Sequence, residues 1–183
     1  SDIRRDPAPS NRFAPLPAPP MSSRFYLASP PESDHATLGD SEAHHLLHVL
    51  RARLGDSLTL FDGSGAEYSA EIVRLGRSTV DVRVLETRLV DRELPRTLVM
   101  GVALPKGDRQ RWLVEKIVEL GVTRCIPLST TRGVVQPEGG TLDKLRRAVI
   151  EASKQCGRNR LLEIDPPQTW NDFLRSPPTT SLR

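Results

Sequence analysis

Three features of the 183-residue sequence predict a mixed α/β fold in two unlike parts, a small β-barrel followed by an α/β domain. The hydrophobic period changes near residue 96, from two-residue alternation to strands separated by helical stripes. Proline marks the boundaries, with eight of the 16 prolines in residues 1–31 and four in residues 166–178. Charge is uneven: residues 21–95 carry 8 basic and 12 acidic side chains, whereas residues 96–160 carry 13 and 6, a net +7. A basic block beside an acidic one suggests that the middle of the chain meets a polyanion, although a solvated basic face explains the same count.

Residues 1–21 are expected to form a disordered proline-rich leader, because they hold too few apolar side chains to bury. In the first part, Ser57 to Phe61 alternates, Asp62-Gly63 is a turn signal, and Glu67 to Val73 resumes strand spacing. Thr79 to Leu85 puts Val80, Val82 and Val84 on one face. One helix interrupts, with Ser41 as its expected cap and Ala43, Leu46, Leu47 and Leu50 as its apolar face. Short strands with a single helix suggest a barrel.

After Arg96, the run from Thr97 to Leu104 predicts a strand, and a helix capped by Asp108 is expected to bury Trp112, Leu113, Ile117 and Leu120 before Gly121 stops it. A strand over Val122 to Leu128, a helix from about Thr141 to Cys156 and a short strand over Leu161 to Ile164 complete βαβ units with a parallel sheet. Pro137-Glu138-Gly139-Gly140 reads as a turn before that helix. Its apolar face is Leu142, Leu145, Val149, Ala152 and Cys156, and Cys125 and Cys156 are both expected to be buried and reduced.

The same helix carries a second stripe, Lys144, Arg147, Glu151, Lys154 and Arg158, at spacings of 3, 4, 3 and 4. Its end, Gly157-Arg158-Asn159-Arg160, has two readings. Glycine suits a left-handed helix end and arginines complement the negative pole of the dipole. Alternatively, a rigid basic row grips RNA phosphates. Lys106-Gly107-Asp108-Arg109 opens a helix, where anions are attracted, and the loop with Arg132 leaves the carboxyl end of a strand, where α/β sheets bind ligands.

Other chemistries find little support. The longest strongly apolar run, Leu98 to Leu104, is seven residues, well below the roughly 18 of a membrane helix. The N-terminus lacks the apolar core of a secretory signal, so the expected compartment is the cytoplasm. His44 and His48 share a helical face, but with no cysteine nearby and no H-E-x-x-H order, no metal is expected. Neither a G-x-S-x-G elbow nor a dinucleotide or phosphate-loop fingerprint occurs, which disfavours a nucleotide-binding α/β protein.

Four stretches occur in order: His45-Leu46-Leu47-His48-Val49-Leu50-Arg51; Leu60-Phe61-Asp62-Gly63; Lys106-Gly107-Asp108-Arg109 with Val114-Glu115-Lys116 and Glu119-Leu120-Gly121-Val122; and Glu151-Ala152-Ser153-Lys154-Gln155-Cys156-Gly157-Arg158-Asn159-Arg160. Together they resemble the ribosomal RNA small subunit methyltransferase E family. The resemblance implies a PUA-like β-barrel over residues 22–92 and the N-terminal part of a SPOUT domain, which forms a trefoil knot, over residues 96–183. It implies a homodimer that transfers a methyl group from S-adenosylmethionine to N3 of a uridine in small-subunit ribosomal RNA, free or in a ribosomal particle, during ribosome maturation. By match to the motifs, Arg24, Arg51, Lys106, Arg132, Arg158 and Arg160 would touch RNA or the active-site rim, and Arg147 and Lys154 join them through the basic stripe. Glu115, Glu119 and Gln155 are expected to hold the fold or the dimer instead. The family's donor-binding segments, a G-P-E-G-G loop and a later L-G-x-R-x-L-R-x-E-T-A stretch, are expected beyond Arg183, so no residue is assigned to the donor or to catalysis and this chain is expected to be inactive alone. The contrasting expectation is a non-catalytic RNA-binding module.

Overall fold

The computed structural model describes residues 23–175 except Val134 and Glu138; the expected leader over residues 1–21 lies outside the described residues. The first part is a mixed five-stranded sheet. Its strands are β1 (Arg24–Tyr26), β2 (His35–Leu38), β3 (Ser57–Phe61), β4 (Ala66–Leu75) and β5 (Val80–Leu89), in the order β1-β3-β4-β5-β2. β1 runs parallel to β3 and the other pairs are antiparallel. One cluster draws a buried residue from every strand, among them Phe25, Leu38, Leu60, Ile72 and Val82. The sheet must therefore curl until its edges β1 and β2 share a core. Irregular register in β4, at Ser69/Ala70 and Ile72/Arg74, supplies the bending that such curling needs.

The interrupting helix, α1 (Asp40–His44), begins two residues earlier than expected, with Gly39 at its N-cap in place of Ser41 and no side-chain cap bond. It passes into a π-helical turn, His45–Val49. Widening the turn rotates the later side chains, so Ala43 and Leu46 are buried while Leu50 is 44% exposed.

The second part is a parallel sheet of β6 (Val99–Val102), β7 (Arg124–Ser129) and β8 (Glu163–Ile164), with β9 (Gln168–Thr169) pairing further along β7. Helix α2 (Arg109–Glu119) connects β6 to β7, α3 (Gly139–Cys156) connects β7 to β8, and α4 (Trp170–Arg175) follows β9. Because α3 starts at Gly139, Gly139 and Gly140 are helical and do not form a separate turn.

Two further expectations about burial are overturned. Helix α2 buries Val114, Ile117 and Val118, whereas Trp112 is 62% and Leu120 66% exposed. Consecutive apolar residues in Trp112-Leu113-Val114 and Ile117-Val118 offer two overlapping stripes, and the core takes the one centred on the β-branched side chains. Cys125 is buried but Cys156 is exposed. Burial, with the nearby Asp165 charge, pushes the Cys125 thiol up to about 11, which keeps it protonated.

Candidate nucleic-acid interface

The eight basic residues singled out from the sequence fall into two environments. Four gather where the barrel meets the α/β layer. Helix α3 ends at Gly157, whose φ of +77° permits the left-handed turn, and the Arg158 amide reaches back to the Ser153 carbonyl at 3.1 Å. The chain then dives inward. Arg158 is 5% exposed, and its guanidinium donates to both Glu93 oxygens at 2.8 and 2.6 Å. It also donates to the carbonyls of Val118 and Val122, at 3.2 and 2.8 Å. Arg158 thus does satisfy a helix C-terminus, but that of α2 and not its own.

Arg24, on β1, donates to Glu67 at 2.7 Å and to Asn159 at 2.5 Å, and lies 5.0 Å from the centre of the Phe61 ring. Glu67 also accepts from Arg92 and Asn159. Burial opposes ionisation of Glu67, but bonds from Arg24, Arg92 and Asn159 outweigh it and hold the carboxyl below its ordinary value. Lys154 spans the same junction to Glu42 on α1 at 2.9 Å, the two side chains being 9% and 12% exposed.

Arg160 is exposed, and its backbone forms a bridge with Ser64. Its guanidinium covers Gly65, where an added Cβ would lie 3.1 Å from the guanidinium carbon; Leu161 covers Gly63 in the same way at 2.9 Å. These two glycines, with φ of +108° and +86°, are required both by the turn and by the close approach of the second domain. The Asp62-Gly63 turn and the Gly157-to-Arg160 segment therefore dock onto each other.

The other four candidates are open to solvent. Arg51 follows the π-turn with a φ of +53°, and Arg132 lies on the loop after β7. Lys106 precedes Gly107, which with Asp108, Gln110 and Arg111 lines one wall of a cleft between the start of α2 and the first half of α3. The opposite wall is Lys144, Arg147, Ala148 and Glu151, and the cleft holds about 410 Å³. Arg147 and Glu151 also line a neighbouring cleft of about 350 Å³ against the barrel residues Tyr26, Leu27 and Thr37. Glu151 is paired with Lys154, whereas Arg111, Lys144 and Arg147 have no ion pair among the described residues. Three cations without ion pairs around a concavity suit a phosphate-bearing ligand, even though Arg147 also donates to the Asp143 carbonyl at 3.3 Å. Sequence reading missed Arg111 because it sits on a different helix from the basic stripe.

With this geometry in view, the likeness to known proteins can be placed. The RNA methyltransferase domain family matches residues 92–183, and the RNA methyltransferase PUA domain family matches residues 38–85. A relative from Synechocystis, named ribosomal RNA small subunit methyltransferase E, is 33% identical over 138 residues, 75% of this chain and 45% of its own length. The chain belongs to the ribosomal RNA small subunit methyltransferase E family. A member from Bacillus subtilis is 28% identical over 148 residues, and the chain spans about half the length of the curated relatives it matches. Among solved structures, the family's enzyme from Neisseria gonorrhoeae, bound to S-adenosylmethionine, superimposes with a TM-score of 0.78 at 30% identity, over 86% of this chain and 66% of that one. A methyltransferase from Legionella pneumophila with the same cofactor gives 0.79 at 31% identity, over 84% and 66%. The family therefore fixes the fold as a PUA-like barrel followed by a SPOUT-type α/β domain.

Proposed function

We propose that the chain is the RNA-gripping part of an S-adenosylmethionine-dependent methyltransferase that modifies N3 of a uridine in small-subunit ribosomal RNA during ribosome maturation. It would act in the cytoplasm, as a homodimer, on free RNA or a ribosomal particle. The observation that carries this reading is the cleft where Arg111, Lys144 and Arg147 converge without carboxylate partners. Phosphate contacts there would fix the register of the RNA, and the buried seam would keep the barrel at a constant angle to it.

The cleft around Arg111, Lys144 and Arg147 does not fit the methyl donor. Its sulfonium is a cation, and the cleft already concentrates three others. No catalytic step is derived through the donor, which supplies an activated methyl group when bound. What this chain contributes is positioning. N3 of uridine lies on a normally paired edge, so the nucleotide must be turned out of any helix and held in line. Donor binding falls to the further length that the relatives possess, and the chain by itself would behave as a non-catalytic RNA-binding module.

Two titrations test this. Binding of a small-subunit ribosomal RNA fragment should weaken about tenfold or more in the Lys144→Glu/Arg147→Glu variant, with the salt slope reduced by about 1 for each lost contact. Unchanged affinity would overturn the cleft as an RNA site. Calorimetric titration of the 183-residue chain with S-adenosylmethionine should give no heat. Saturable binding would overturn the placement of the donor site elsewhere.

A further inference from the structure

A third cleft opens on the opposite flank of α3 and has a different character. It holds about 540 Å³, inside the roughly 300–1,000 Å³ of small-ligand sites, and is lined by Tyr26, Val149, Ile150, Leu161, Ile164 and Pro166 among others. Tyr26 and Ile150 also line the barrel-side cleft that contains Arg147, so the two openings adjoin. The Tyr26 ring is steadied edge-on by Phe61, with centroids 5.6 Å apart. Carboxylates at the rim are committed: Asp165 and Glu163 both face Arg124, at 2.5 and 3.7 Å. Arg146, exposed at the mouth, is shared with Asp143 at 3.0 Å.

An aromatic ring among aliphatic side chains, reached from a cationic cleft, is the combination that holds single-stranded nucleic acid. Resting on the RNA-gripping role above, we propose that this cleft takes an unstacked nucleobase of a single-stranded RNA segment whose phosphates run to Arg147. A duplex is the wrong occupant, because its bases are stacked inward and present only their edges. The base would lie between the Tyr26 ring and the Ile150 and Leu161 side chains. Such a site adds substrate selection to the charge-based grip.

The test compares two labelled probes of equal length and charge, a single-stranded oligouridylate and the same oligomer with abasic positions at its centre. The chain should bind the base-bearing probe at least about fivefold more tightly. Tyr26→Ala and Ile150→Asn should each abolish that preference while keeping the salt slope, and Tyr26→Phe should retain it. Both cleft variants are used because either alone could loosen the fold; retention of the salt slope and of the thermal transition shows an intact scaffold. Equal binding of the two probes by the unaltered chain, or a preference that survives in both cleft variants, would overturn the base site while leaving the phosphate cleft in place. Binding of neither probe would overturn the RNA-gripping role and the base site with it.

Discussion

In the first half of α3, Lys144 and Arg147 stand over an open cleft; at its end, Lys154 and Arg158 are enclosed between the barrel, α2 and the linker. All four lie on one stripe at helical spacing. Their difference comes from what the rest of the chain brings to them. Glu42 and Glu93 are delivered to the C-terminal pair from α1 and from the segment between β5 and β6, and the N-terminal pair has no ion pair among the described residues. A basic row is thus a joint at one end and a ligand surface at the other, and the joint holds the surface at a fixed angle to the barrel.

The sharpest way to break this contrast is Arg158→Met. It leaves Glu93 charged at 2% side-chain exposure and removes the donor to two carbonyls. We expect a loss of about 3–5 kcal/mol in urea denaturation, part of which Glu93→Leu in the same chain recovers by removing the stranded charge. Arg147→Met, at the open end, should stay within about 0.5 kcal/mol. Equal costs at both ends would collapse the distinction.

A smaller effect is expected for Lys154→Met. Its ammonium serves Glu42 and Glu151 and lies 5.7 Å from the centre of the Phe25 ring, but it closes no helix end. Loss of its bonds to Glu42 should cost about 1.5–3 kcal/mol. Coupling to Glu42→Gln in a double-mutant cycle should account for most of it, with little coupling to Glu151→Gln, whose side chain is 53% exposed.

Patterning made the framework legible. Alternation located Ser57 to Phe61 to the residue, and the zero exposure of Val80 and Val82 follows from their shared strand face. Gly157 was readable as a helix end because few other residues adopt its backbone conformation without strain. Trp112 was not readable as exposed, since a helix with consecutive apolar residues leaves the choice of face to the sheet beneath it. The fate of Arg158 was hidden for a similar reason. Its partner Glu93 lies 65 residues away, in the segment between β5 and β6 that has no periodic signal, and an arginine that grips phosphate has the same spacing as one that grips a carboxylate and two carbonyls. The short β1 and β9 escaped because three and two residues are too few to show a period.

The slightest expected effect, a pH dependence, probes the joint alone. Glu67 is the carboxylate on which Arg24, Arg92 and Asn159 converge. Because folding lowers its pKa, the unfolded chain takes up a proton first as pH falls, so the contribution of this group is complete above the unfolded value of about 4.3 and is lost as pH drops through the folded value. The urea midpoint should therefore fall from pH 5 toward pH 3 more steeply in the unaltered chain than in Glu67→Gln, and the two curves should converge at the acid end. A Glu67→Gln curve parallel to that of the unaltered chain would mean that the Glu67 cluster adds nothing to the joint.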